Sequence, residues 1–529
     1  MSCSQRVALL DERLRLLTGG RRTAVERHQT LRATVDWSYS LLSPTERTVF
    51  DRLAVFSGGF TMAAATAVVA GEGVEYWDVV DALGSLVGKS MVVATAEPAG
   101  VTRYQLLETM RQYARERLDA ESDSDRWRRQ HARYFASLAV EIGDGLQGRD
   151  EAAWRERLMA DLDNLRGALV WGLDSEMHDD QQLAVAIAAH LAIDASNAMT
   201  ATGRWAEQAL DAARNATSGM RSAVLGAAAT AAHLRGDLST ADVRARASLA
   251  EGFPLEDPNP VQASIVLASV LMFAGKRDEA AACFDRADRA ITARGGSSFW
   301  LSVVESSRIQ VGLFAEDEDA EIAHARHGMS AAERTGNPTS LALASYALGW
   351  ALRHRRPAEA ITALDRAVDL MRREAMASLV GFPLAFSARA VASQGDSDGA
   401  KSRLREALAL SSKAAEWLTV TGCLDVGVDV FAYLDEPEVA AALAGAVEHV
   451  FAELRFPYVA TAGPGLAVRE ANLAKARATL GDAAYEAAYA RGAAMTREHV
   501  IALTLDHLRT PRMGGVATVD GSGSPALDL

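Results

Sequence analysis

The sequence predicts a mainly α protein: a small winged-helix domain followed by an α-solenoid of helical hairpins with a period of about 40 residues. Three observations carry this. From about Ala184 onward alanine recurs in patterns of helical period, and strand-like alternation is nearly absent. Within that stretch one alanine returns behind a turn signal at near-constant intervals. Before it, helical patterns give way to two short β-rich runs and a closing helix, the order of a winged helix.

The repeat shows when each turn is aligned with the alanine after it. "GKRDEA" ends at Ala280, followed by Phe284 and Ala287. "RRPAEA" ends at Ala360, followed by Leu364 and Ala367. "GDSDGA" ends at Ala400, followed by Leu404 and Ala407. "GDLSTA", "AEDEDA" and "LDEPEVA" place further alanines at 241, 320 and 440, so the series steps by 39, 40, 40, 40 and 40. The units at Ala320 and Ala440 match poorly beyond that first alanine. Gly, Asp and Pro turn the chain, and the small alanine lets a new helix approach its partner. Residues four and seven later share its face. One such hairpin cannot bury its apolar stripe alone, so neighbours stack. The pattern resembles tetratricopeptide (TPR) repeats with a lengthened period. It assigns residues 184–508 to the solenoid.

The front of the chain justifies the winged helix, assigned to residues 26–122. "HQTLRATVDWSYSLL" has helical spacing. "SPTERTVFDRLAVF" opens with Ser43 as N-cap, Pro44 in the first turn and Glu46 closing a capping box. "GGF" breaks the chain, and "TMAAATAVVAG" starts afresh from Thr61. "VEYWDVVDALGSLVGKS" is another helix, with Gly88 expected as its C-cap. "MVVATAE" and "VTRYQLL" read as strands around a Pro/Gly turn, and "ETMRQYARERL" closes the domain. A helical junction with the first repeat-like helices follows over 123–183. There Trp154, Leu158, Leu162, Leu165, Leu169 and Trp171 are expected to pack together. Residues 509–529 read as a disordered tail.

Composition narrows the function classes. With 49% apolar and 23% charged residues the 529-residue chain is an ordinary globular one. A formal net charge of −14 argues against nucleic-acid binding by the whole surface. The three cysteines, Cys3, Cys283 and Cys423, are far apart, which suggests neither a disulfide framework nor a zinc site and fits a cytoplasmic location. No apolar run of membrane-spanning length appears, and the acidic and basic residues at 11–13 interrupt any signal-peptide core.

"LGSLVGKS" spells the end of a phosphate-binding loop at Gly88-Lys89-Ser90. The pattern needs a glycine at position 83, where the chain has leucine. Its context is also inverted: a helix precedes the motif and a β-rich run follows. Backbone carbonyls, which repel phosphate, would face the ligand. No cofactor is expected from this segment, and no catalytic motif of comparable weight is present elsewhere, so the chain is not expected to be an enzyme.

"LLTGG-RRTAVERHQTLRATVDWSYSLLSPTERTVFDRLAVFSGGFTMAAA" resembles the region just after the ATPase core of STAND-type bacterial signalling ATPases, including LuxR-family and AfsR/MalT-like transcriptional regulators. The resemblance continues through "LVGKSMVV", "RYQLLETMRQYARERL", "HARYFASLA" and "WRERLMADLDNLRGALVWGL". It implies that residues 1–25 are a remnant of the segment following such a core. It further implies a winged helix that packs on an ATPase module, and TPR-like repeats that sense an inducer or partner. The P-loop module and the terminal helix-turn-helix of that family are not in this sequence, so neither ATPase activity nor LuxR-type DNA binding carries over.

These readings make a regulatory protein acting through protein or small-effector binding, with an ATPase module supplied in trans as one partner. The alternative is a DNA-binding regulator acting through the winged helix. The helix before the wing bears Glu75, Asp78 and Asp81 against a lone Lys89, which disfavours groove reading. A basic run in "DRWRRQHARYF", Arg126, Arg128, Arg129 and Arg133, is a candidate contact for an acidic partner. His324 and His327 in "HARH" have metal-compatible spacing without an evident third ligand, and read as a surface pair; no metal is expected.

Overall fold

The structure is a computed structural model describing residues 32–96, 100–121, 123–196, 201–251, 259–293, 295–312, 317–373, 380–413, 417–454 and 464–509. The expected remnant at 1–25, and the expected tail apart from Arg509, lie outside the described residues. Two compact units are present. One comprises residues up to 146 with 153–193 and 208–224; the other comprises 147–152, 194–207 and 225 onward.

In the first unit, α1 (32–40) leads to α2 (Pro44–Arg52), β1 (Phe60–Thr61), α3 (Met62–Val69), α4 (Tyr76–Gly88), β2 (Val93–Ala96), β3 (Thr102–Gln105) and α5 (Glu108–Asp119). The capping box of α2 forms as the sequence requires: Ser43 accepts from the Glu46 backbone N–H, and Glu46 accepts from that of Ser43. Thr61 caps α3 by accepting from the Ala64 N–H at 3.1 Å. Val49, Phe50 and Leu53 meet Val79, Leu83 and Leu86 in a core from which water is excluded.

The sheet is antiparallel, in the order β1-β3-β2. Sequence reasoning gave only its hairpin. The "GGF" break contributes β1, pairing Phe60 with Tyr104, and Phe60 stacks on Phe56 at 4.3 Å. Two residues carry no periodicity to detect. The end of α4 also differs from expectation. Gly88 is the last helical residue, and Ser90 takes the left-handed φ of 57° while its N–H bonds to the Val87 carbonyl.

Helices α6 (Ser124–Gly145), α7 (Glu151–Asp174) and α8 (His178–His190) extend this unit. Asn164 on α7 fastens the 57–59 loop. Its Oδ1 accepts from the Ser57 and Gly58 N–H groups at 2.9 and 3.1 Å, and its Nδ2 donates to the Gly59 carbonyl at 2.8 Å. Arg103 on β3 pairs with buried Asp161 at 2.8 Å. Leu158, Leu165 and Leu169 are buried as expected, whereas Trp154, Leu162 and Trp171 are half-buried.

The helices that follow are α9 (Ala201–Ala213), α10 (Ser218–Leu234), α11 (Leu238–Ala250), α12 (Asn259–Phe273), α13 (Arg277–Ala293), α14 (Ser298–Gln310), α15 (Glu318–Thr335) and α16 (Pro338–Leu352). Beyond them come α17 (Pro357–Arg373), α18 (Gly381–Ser393), α19 (Ser397–Lys413), α20 (Trp417–Tyr433), α21 (Pro437–Leu454), α22 (Pro464–Leu480), α23 (Asp482–Ala493) and α24 (Arg497–His507). The second unit is a solenoid of helical hairpins: α12 packs on α13, α14 on α15 and α16 on α17. The first helices of successive hairpins also touch, α14 with α16 and α18 with α20.

The repeat alanines fall in the first turns of α11, α13, α15, α17, α19 and α21. All but Ala320 are fully buried. Five residues before four of them stands a left-handed residue: Gly236, Gly275, Gly395 or Asp435, with φ between 59° and 86°. The next N–H then bonds five residues back, as from Lys276 to the Leu271 carbonyl at 2.9 Å. This geometry ends one helix and starts the next within a few residues.

Candidate functional site: the outer face of the winged helix

Helix α4 occupies the place where a winged helix reads DNA. Glu75 and Asp78 form its N-terminal capping box. Val79, Ala82, Leu83 and Leu86 turn inward, so the helical period leaves Trp77 and Asp81 outside, and Tyr76, at the helix's first position, is exposed as well. Trp77 is 70% exposed and Tyr76 51%, their rings edge to face at 5.1 Å. Trp37 and Leu41 are likewise exposed, at 66% and 57%. Large apolar side chains so open to water mark contact surfaces, and here they sit among carboxylates.

The cations among the described residues of this domain are already engaged. Residues 32–119 hold eight Lys and Arg. Arg32 pairs with Glu116, Arg103 with Asp161, Arg111 with Glu108, Arg115 with Asp119 and Arg117 with Asp36. Arg47 donates to the Tyr39 and Ser40 carbonyls. Arg52 donates to those of Val69 and Gly71 and stacks on Trp127 at 3.8 Å. Lys89, the residue that spelled a phosphate-binding lysine, rests on Glu46 at 2.6 and 2.7 Å. The bonds from Lys89 and Ser85 hold the Glu46 carboxyl down at about 2.

The basic run on α6 is distributed in the same way. Arg126 pairs with Glu72 and Asp123, and Arg128 with Asp119 and Asp125. Arg129 grips buried Asp180 at 2.5 and 2.9 Å and keeps its carboxyl below the usual range. Arg133 is exposed. Glu72 and Asp180 lie more than fifty residues away in sequence, which is why local reading saw a patch rather than pairs.

Residues 42–119 match the winged helix-turn-helix domain family. Over 166 residues the chain is 45% identical to proteins of Mycobacterium tuberculosis and Mycobacterium bovis named "Putative HTH-type transcriptional regulator". That match covers 31% of this chain and 18% of those proteins, so the chain spans under a fifth of their length. An "Uncharacterized protein" of M. tuberculosis is 42% identical over 120 residues, 22% of this chain and 30% of its own. Among solved structures, a STAND protein with a tetratricopeptide repeat sensor from Pyrococcus horikoshii superposes with a TM-score of 0.49 at 12% identity, covering 89% of this chain and 66% of its own. A Rap protein complexed with competence and sporulation factor does so at 0.42 and 14%, covering 72% and 100%.

In the second unit, His324 and His327 do not stand idle on the surface. Their Nδ1 atoms lie 2.7 and 3.3 Å from the two oxygens of buried Glu305 on α14. Among the described residues no group of three or more His, Cys, Asp or Glu is placed to hold a metal ion. No described helix is long and apolar enough to cross a membrane. Sequence reasoning missed the exposure of Tyr76 and Trp77. For Trp77 the signal was available: a helical wheel anchored on Val79, Leu83 and Leu86 puts it on the opposite side, whereas Tyr76 flanks the buried face and is exposed at the helix's first position.

Proposed function

We propose that this chain is a regulatory protein whose winged helix docks a protein rather than reading DNA, and whose hairpin array recognises a partner or effector. The observation that carries this is the outer face of α4: Trp77 and Tyr76 flanked by Glu75, Asp78 and Asp81, in a domain whose cations between residues 32 and 119 each bond to a carboxylate or a backbone carbonyl. Groove recognition needs Arg, Lys, Asn or Gln on that face to meet phosphates and base edges. An exposed tryptophan ringed by carboxylates suits a partner face that is apolar at its centre and basic at its rim. A P-loop ATPase module, the partner on which a winged helix packs in the family the sequence resembles, is the occupant proposed. The role is recognition without chemistry, in the reducing cytoplasm that the cysteine usage suggests.

The second reading, DNA binding, is favoured by the winged helix-turn-helix match over residues 42–119 and by the relatives' name. One experiment separates the two. Wild type and Trp77→Ala are cross-linked in cells and their partners identified, while both are titrated with a labelled duplex pool at several salt concentrations. A P-loop protein captured by wild type and lost with Trp77→Ala supports docking. Duplex binding that weakens steeply with salt, alongside capture indifferent to Trp77, overturns it.

A further inference from the structure

Helix α7 carries a second exposed surface, apart from the outer face of α4. Its inner side is fixed. Leu158, Leu165 and Leu169 are buried, Asp161 holds Arg103, and Asn164 holds the 57–59 loop. Its outer side bears a row with steps of three and four residues: Glu156, Met159, Asp163, Arg166 and Val170, all exposed. Half-buried Leu173 continues it. Met159 is 62% exposed and Val170 41%. Alternating steps of three and four keep a row on one face of a helix over several turns, and two helices pair along such rows.

The row is complementary to itself when reversed. Two copies of α7 can be laid side by side and antiparallel, with a twofold axis level with the midpoint between positions 164 and 165. Met159 then lies opposite the partner's Val170, and Asp163 opposite the partner's Arg166. The symmetry repeats each contact, so two apolar pairs flank two pairs of opposite charge. In the heptad lettering that these steps define, Asp163 and Val170 are a positions and Met159 and Arg166 are d positions, so every contact joins an a to a d. Among the described residues neither Asp163 nor Arg166 has a hydrogen-bond or ion-pair partner of its own. The charges along the row therefore match a reversed copy of itself.

We propose that the chain self-associates through α7, two copies meeting antiparallel along Met159, Asp163, Arg166 and Val170. The apolar pairs supply the attraction. The charge pairs, open to water, contribute little strength but fix direction and register. A contact this small gives a weak dimer, with a dissociation constant on the order of 10–100 μM. Trp77 takes no part, so the inference stands apart from the docking surface.

The test is sedimentation velocity of the full chain from about 1 to 300 μM, a range that brackets the expected constant. Wild type should pass from monomer to dimer across it. Asp163→Arg and Arg166→Asp, each alone, set like charges against each other and should weaken association about tenfold or more. An equimolar mixture of the two variants should recover it, because each residue then meets its opposite. Trp77→Ala should associate as wild type does. Asp163 and Arg166 are exposed, so neither exchange disturbs the core, and recovery in the mixture shows both variants folded. Four results would each overturn the inference: wild type remains monomeric throughout, either single charge variant associates as wild type does, the mixture stays monomeric, or Trp77→Ala abolishes the dimer.

Discussion

The ammonium of Lys89 lies between both carboxylate oxygens of Glu46, joining the end of α4 to the start of α2 at 2.6 and 2.7 Å. A lysine held this way is a structural tie. A double-mutant cycle with Lys89→Met and Glu46→Gln, followed by urea unfolding, should return a coupling of about 1 kcal/mol. The folded Glu46 carboxyl is depressed to about 2. Its contribution is therefore complete above the unfolded value near 4.5 and lost as pH falls toward 2. A coupling that does not shrink between pH 6 and pH 3 would contradict the assignment.

Asp51 titrates in the opposite sense. It is buried, accepts from the Tyr39 hydroxyl at 2.7 Å, and leaves its other oxygen unpartnered. Burial pushes it up to about 7. A raised acid favours the folded state fully below its unfolded value near 3.8, and that advantage drains away as pH climbs through 7. Asp51→Asn keeps the acceptor for Tyr39 and removes the buried charge. Thermal melts should show the variant gaining on wild type between pH 5 and pH 8, with the gap closing at pH 4.

Arg469 on α22 lies between two acids of α20. It reaches Asp425 at 2.9 and 3.0 Å and Asp429 at 2.8 and 3.0 Å, and all three are buried. Arg469→Met leaves buried Asp425 without its cation and Asp429 with only Arg389 at 3.5 Å and Asn472 at 3.1 Å, and should lose about 3–5 kcal/mol in denaturant titration. Adding Asp425→Asn and Asp429→Asn should restore most of that. A triple variant no better than the single one would show that the methionine itself does not fit.

Gly492 of α23 lies against α21 so closely that a Cβ would sit 1.8 Å from the Ala442 carbonyl oxygen. Gly445 faces the Tyr489 carbonyl with the same intimacy, at 2.1 Å. Gly492→Ala must push the helices apart and should destabilise the chain by about 1–3 kcal/mol or more. Gly481→Ala, where a Cβ meets nothing within 4 Å but φ is +79°, should also destabilise it, through backbone strain alone. Hydrogen exchange separates them: α21 and α23 lose protection together only in the Gly492 variant.

The architecture was legible because its signals are local and repeated. Ser43, Pro44 and Glu46 announce α2 within four residues, and the alanine series sets the hairpin period without long-range information. What stayed hidden depends on partners distant in sequence. Arg129 needs Asp180, and Lys89 needs Glu46. A run of arginines reads as a patch until the acids that fold back on it are placed.

His324 and His327 stand four and seven residues after Ala320, the slots that hold Phe284 and Ala287, or Leu364 and Ala367, in sister repeats. A linear array owes its strength to the grip between neighbours. At this rung the apolar stripe shifts to Ile322, Ala325 and Met329, which stay buried, and the imidazoles in the vacated slots lean on the Glu305 carboxylate of the same hairpin. The array therefore absorbs a polar contact inside one repeat while its neighbours still join through a continuous oily core.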